Sequence, residues 1–83
     1  MTRVRIDVLL RDEIRDPQGA AVRDGLERLG VAAERVRVGK HLVVDLGDDA
    51  PEGDALAEAV ERACSRLLAN PVIERWEWRV EEG

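Results

Sequence analysis

Apolar and polar residues alternate cleanly from Arg3 to Leu10. Val4, Ile6, Val8 and Leu10 fall on one side, and Arg3, Arg5 and Asp7 on the other. A period of two with one apolar side predicts a half-buried β-strand. Leu9 breaks the polar side. The period then changes: Val22, Leu26 and Leu29 recur at i, i+4 and i+7, with Ala21 and Gly25 beside them, which predicts a helix. Asp16 is placed as its N-cap. Pro17 stands at the first helical position, where a missing N–H costs no hydrogen bond. Gly30 is placed to end the helix in the left-handed conformation.

Glu34 to Leu46 predicts two further strands. Val36 and Val38 alternate with Arg35 and Arg37, and Leu42, Val44 and Leu46 alternate with Val43 and Asp45. Gly39-Lys40 between them reads as a hairpin turn, the other reading being a bulge in one longer ribbon. A polar loop follows from Gly47 to Asp54, and Asp54 is a candidate cap for a second helix. Leu56, Val60, Ala63, Cys64 and Leu67 form the apolar stripe of that helix. Asn70-Pro71 stops it, because the residue before proline is pushed out of helical geometry. Val72 to Val80 predicts the last strand, with Trp76, Trp78 and Val80 on one face and Arg75, Glu77 and Arg79 on the other.

The order is βαββαβ. Right-handed crossovers place both helices on one face of an antiparallel sheet. The expected fold is therefore α+β: a ferredoxin-like two-layer sandwich with a four-stranded antiparallel sheet and two helices on one face. At 83 residues the chain reads as one domain, residues 1–83. One small core supplies limited stability, and small domains often gain more by self-association.

Charge and composition exclude more than they assign. The net charge is −5, which argues against nucleic acid and anionic membrane surfaces. No apolar run approaches the ~20 residues of a membrane span. Arg3, Arg5 and Asp7 among the first apolar residues do not fit a signal peptide, so a cytoplasmic protein is expected. The chain has one cysteine, Cys64, and one histidine, His41, too few for a common metal site. His41 and the only serine, Ser65, fall on different elements, so no nucleophile–base pair is expected. Gly39-Lys40 lacks the further glycines, the Ser/Thr and the following helix of a phosphate loop. Cys64 lies in an apolar stripe and reads as a small core hydrophobe.

The outer sheet face is the remaining candidate surface. Strand parity gives it Arg3, Arg5, Arg35, Arg37, Arg75 and Arg79 against Asp7, Asp45 and Glu77, with Leu9, Val43 and Ile73 as apolar spots. Such a face is either a set of wet cross-strand ion pairs or a docking surface. It carries no aromatic residue on which an RNA base could stack.

Three segments carry a resemblance: Asp16-Pro17-Gln18-Gly19, Val36-Arg37-Val38-Gly39-Lys40, and Leu67-Leu68-Ala69-Asn70-Pro71-Val72-Ile73-Glu74. Together, in this order and over Arg3 to Glu81, the chain resembles the PurS family, the small subunits of bacterial and archaeal phosphoribosylformylglycinamidine synthase. Trp76 and Trp78 depart from it, since relatives often carry tyrosine there. The resemblance implies a step of de novo purine synthesis in which formylglycinamide ribonucleotide, glutamine and ATP give formylglycinamidine ribonucleotide, glutamate, ADP and phosphate. It implies a homodimer or larger assembly that joins the synthetase PurL to the glutaminase PurQ and assists ammonia transfer. ATP and Mg are then used by the synthetase subunit, and this chain holds no cofactor, no metal and no catalytic residue. Asp16, Pro17, Gly19, Asn70 and Pro71 carry the family motifs. Arg37, Gly39 and Lys40 are the expected partner contacts, Lys40 being the only lysine among 13 basic residues. The competing readings are a small-molecule-binding module of the ACT type and a plain dimerisation domain. Amino-acid binding by the isolated chain separates the first from PurS.

Overall fold

The computed structural model describes residues 1–82. A nine-residue strand β1 (Thr2–Leu10) is the centre of a three-stranded antiparallel sheet. It is flanked by β2 (Lys40–Leu46) and β3 (Glu74–Glu82), in the order β2-β1-β3. Helix α1 (Pro17–Arg28) joins β1 to β2, and α2 (Gly53–Ala63) precedes β3. A wider π-helical turn, Cys64–Leu68, ends the second helical segment.

The alternating pattern of β1 behaves as the sequence requires. Val4, Ile6 and Val8 are almost fully buried, and together with Leu56, Val60 and Cys64 of the α2 segment they form the core. Leu42, Val44 and Leu46 from β2, and Trp76 and Trp78 from β3, pack against it. Glu61 of α2 ties the layers together, because one of its carboxylate oxygens accepts both indole N–H groups, from Trp76 at 3.1 Å and Trp78 at 2.8 Å. Cys64 is wholly buried, and burial pushes its thiol pKa up.

Three expectations fail in instructive ways. The sheet has three strands rather than four, because residues 36–38 do not join it. The Val38 N–H donates to the Asp16 carboxylate at 2.8 Å, not to a neighbouring strand. Only the second arm of the expected hairpin forms, so Arg35 and Arg37 are not on the outer sheet face. The helices are not both on the sheet either. Helix α1 packs extensively on none of the strands, and Gly19 is its only buried residue. Leu29 remains 82% exposed, and Val22 and Val31 are exposed too. The radius of gyration is 16.1 Å, against ~12 Å for a compact chain of this length. The caps and boundaries also shift at the second helix. Glu52 is its N-cap and Gly53, at φ +59°, opens it, so Asp54 sits in the first turn. The last strand runs from Glu74 rather than Val72, because Ile73 and Glu74 N–H groups are spent on the Asn70 carbonyl.

The ends of α1 form as expected. Asp16 caps the N-terminus and Pro17 opens the helix. At the other end Gly30 has φ +86°. Its N–H donates to the Glu27 carbonyl and that of Val31 to Leu26, the paired bonds that close a helix on a left-handed glycine.

Candidate functional site: the motif end of the sheet

The three sequence motifs meet at one place, beyond the C-terminal end of β1. Asp16 is the first link. One carboxylate oxygen accepts the Gly19 N–H at 2.8 Å, the ordinary helix cap. The other accepts the Val38 N–H at 2.8 Å, twenty-two residues away. Asp16 is buried, and these N–H donors, Val38 first, hold its carboxyl below the usual aspartate range. The contact also explains Gly19. A Cβ there would lie well inside contact distance of the Val36 carbonyl oxygen and 3.0 Å from the Asp16 carboxylate. Only a bare Cα lets the segment at 36–38 run against the first turn of α1. Gly39 is explained in the same way, since a Cβ there would strike the Val8 carbonyl and the Leu9 side chain.

Arg37 is the second link. Its guanidinium points inward, and Nη2 donates to the carbonyls of Arg11 and Ile14, each at 2.9 Å. It also reaches Leu10 O at 3.5 Å. Two carbonyls of the loop between β1 and α1 and that of the last β1 residue thus converge on one nitrogen. Expected as a partner contact, Arg37 is here largely a brace inside the chain. Nε of Arg37 is buried with no partner among the described residues.

Arg11 is the third link. Its backbone N–H donates to Ile73 O at 2.8 Å, its Nη2 and Nε donate to Pro71 O at 2.8 and 3.2 Å, and its own carbonyl receives Arg37. Asn70 organises the rest of that loop. Its side-chain oxygen accepts the Val72 N–H at 3.1 Å, and its N–H donates to Glu74 Oε1 at 2.7 Å. Arg11 and Glu74 were not singled out by sequence reasoning as site residues. The signal was weak: a loop arginine among 12 arginines and an acid at the end of a motif.

Lys40 stands apart from this framework. It is exposed and pairs in register with Val8, and its ammonium has no hydrogen bond or ion pair among the described residues. It borders an open hollow of about 370 Å³ that Asp7, Leu9, His41, Arg75 and Glu77 also line.

The outer sheet face turns out balanced rather than basic. The register sets Arg3 between Asp45 and Glu81, and Asp7 between His41 and Glu77. Arg3 bonds Asp45 at 2.7 Å, Arg5 bonds Glu81, and Arg79 reaches Asp7 at 3.5 Å. These pairs hold the carboxyls of Asp45 and Glu81 below their usual range. His41 bonds Asp7 through Nδ1, while Arg5 Nη1 lies 3.4 Å from Nε2. His41 therefore has both ring nitrogens engaged in this face. Ser65 Oγ donates to the Arg62 carbonyl instead, so the two share no hydrogen bond. Among the described residues no group of three or more His, Cys, Asp or Glu is arranged to hold a metal ion, and no helix is long and apolar enough to cross a membrane.

Known proteins give this architecture a context. A structure of Bacillus subtilis PurS superposes with a TM-score of 0.84 at 34% identity, covering 99% of this chain and 100% of that one. A chain in the structure of PurLQS from Thermotoga maritima matches with a TM-score of 0.84 at 33% identity, covering 96% of each. The phosphoribosylformylglycinamidine synthase subunit PurS of Mycobacterium leprae is 43% identical over 77 residues, 92% of this chain and 91% of that protein. The family model described as PurS, phosphoribosylformylglycinamidine (FGAM) synthase, matches residues 3–82. With the match spanning all three motifs and the strands they border, the chain belongs to the PurS family.

Proposed function

We propose that this chain is the small, non-catalytic subunit of a phosphoribosylformylglycinamidine synthase in purine biosynthesis. The observation that carries the reading is the family match over residues 3–82. In this role the chain bridges the PurL synthetase and the PurQ glutaminase in the cytoplasm and assists ammonia transfer between them. The synthetase subunit uses the ATP and Mg, and the chain supplies surfaces. The similarity to a chain of PurLQS from Thermotoga maritima supports an assembly of this kind. So does the chemistry of the motif end, where buried and polar groups are spent on fixing backbone rather than on activating a nucleophile.

Self-association belongs to the same reading. Helix α1 leaves Val22 and Leu29 exposed and Leu26 half-buried, while the inner face of β2 is only partly covered. An apolar opening of about 150 Å³, lined in part by Val44, Leu46, Pro51 and Leu56, lies between that face and α2. The unseated helix and the uncovered half-sheet are complementary, which favours a second copy as the occupant of both.

The test is co-purification of the chain with its cognate synthetase and glutaminase, followed by glutamine-dependent amidation. A complex of all three with activity that depends on this chain is expected. Full activity of the other two subunits without it would overturn the reading.

A further inference from the structure

We infer that the free edge of β3 pairs with β3 of a second copy, antiparallel about a two-fold axis at Trp78, joining the two three-stranded sheets into one continuous sheet. β3 is nine residues long and lies at the edge of the sheet. On the side away from β1, residues 75–82 make no backbone hydrogen bond among the described residues. A long open edge is a template for another strand, and natural chains either blunt it or use it. This edge is not blunted by its backbone. β3 contains no proline, and its register with β1 runs unbroken from Glu74 to Glu82, so no bulge turns it away.

The charges select the partner and the register. On the outer face β3 presents Arg75, Glu77, Arg79 and Glu81, a row of alternating sign that is antisymmetric about Trp78. A two-fold axis at Trp78 sets Arg75 opposite Glu81 and Glu77 opposite Arg79, and each pair occurs twice. Moving the axis to Glu77 sets Arg75 opposite Arg79, and moving it to Arg79 sets Glu77 opposite Glu81, like charges in both cases. The row fits its own β1 less well, since the register places Glu77 opposite Asp7 and Arg79 opposite Arg5. Within the chain Arg79 reaches Asp7 only on the diagonal, at 3.5 Å, and Arg75 lies 4.0 Å from Glu77. Glu81, bonded to Arg5, keeps lone pairs for a second arginine. On the inner face the same axis sets Trp76 opposite Val80 and Trp78 opposite its own equivalent, an apolar row whose indoles Glu61 already orients. Glu74 and Glu82 meet only at the two ends, where each already accepts a hydrogen bond, from the Asn70 N–H and the Thr2 hydroxyl. The other edge strand, β2, has seven residues, and no two-fold register that keeps the two inner faces together sets its lysine opposite its aspartate. A second β3 is therefore the occupant, at a surface separate from α1 and the β2 half of the inner face.

The experiment uses the full chain as Glu77→Arg, as Arg79→Glu, and with both substitutions together. Each is compared with the parent for mass by light scattering over a concentration series and for fold by circular dichroism. Within the chain each substitution removes a like-charge pairing with β1, at Asp7 or at Arg5, so the fold is expected to be retained. Between copies each single variant sets like charges opposite each other twice. Each is therefore expected to weaken association at this edge at least about tenfold, and to halve the mass of the assembly at concentrations where the parent is assembled. The double variant restores opposite signs across the axis and is expected to return to the parent mass. Parent-like mass for both single variants overturns the contact. A double variant that stays dissociated like the single variants overturns the register at Trp78, and the proposal with it. A parent chain that remains a monomer at every concentration overturns it outright.

Discussion

Alanine at Gly19 and alanine at Gly25 should move stability in opposite directions, although both residues lie in α1. Helix propensity alone favours alanine at both, by up to ~1 kcal/mol. At Gly25 nothing lies within 4 Å of the added Cβ, so that gain is expected to be realised. At Gly19 the Cβ would sit more than ~1 Å inside the ~3.3 Å at which a carbon and a carbonyl oxygen come to rest. Its obstacle is the backbone oxygen of Val36, which cannot rotate away. Either α1 or the segment at 36–38 must shift, and overpacked sites of this kind cost about 1–3 kcal/mol. The shift also pulls the Val38 N–H away from Asp16. With about 1 kcal/mol added for that weakened hydrogen bond and the propensity gain deducted, a net loss of about 1–3 kcal/mol remains. For a domain of this size each kcal/mol moves the melting temperature by ~4–8 °C. Gly19→Ala should therefore melt about 4–24 °C below the parent, and Gly25→Ala up to ~8 °C above it. Thermal unfolding by circular dichroism at one fixed protein concentration reads both. A Gly19→Ala chain as stable as the Gly25→Ala chain would show that the 36–38 segment does not press on α1.

Asp16→Asn should destabilise the chain at neutral pH, because the amide presents N–H where Gly19 or Val38 also presents N–H. The folded carboxyl titrates below its ordinary value of 3.8, so its contribution is complete above that value and fades as pH falls through the folded pKa; parent and variant melting curves taken from pH 7 to pH 2 should converge at the acid end, and a gap that widens on acidification would refute the assignment. Ile6→Ala removes a fully buried core side chain and should cost about 2–5 kcal/mol, measured by urea titration. Lys40→Ala should leave stability within about 0.5 kcal/mol, since the ammonium has no partner among the described residues, yet weaken complex formation with the synthetase and glutaminase; assembly and turnover matching the parent would reduce Lys40 to a solvated strand end. Arg37→Ala should differ by lowering the melting temperature on its own, because three carbonyls at the end of β1 and in the following loop lose their shared donor.

The strands and helices that obey a simple period were legible in the sequence. The alternation at Val4, Ile6 and Val8 matched the buried face of β1, and Asp16, Pro17 and Gly30 marked the ends of α1 where the structure has them. Val36 and Val38 show where period fails. They alternate as strand residues do, but their neighbourhood offers the Val38 N–H a carboxylate rather than a strand, and a tertiary hydrogen bond outweighs local propensity. The same bond holds the segment at 36–38 against the first turn of α1, which the periodic stripe of Val22, Leu26 and Leu29 could not reveal. An amphipathic stripe states that a face will be covered, and leaves open whether the same chain covers it. The motif end was half visible. Asp16, Gly19, Gly39 and Asn70 stood out as cap and turn residues, but their convergence depends on Arg11 and Arg37, whose roles arise from carbonyls brought together only by folding.

The most direct measurement is the glutamine-dependent formation of formylglycinamidine ribonucleotide by purified synthetase and glutaminase, titrated with this chain while the mass of the assembly is followed. Activity and a complex of all three should rise together and saturate at one stoichiometry, while the chain alone hydrolyses neither glutamine nor ATP. Amidation that proceeds at full rate in its absence, or glutamine hydrolysis by the chain alone, would contradict its role as a non-catalytic assembly subunit.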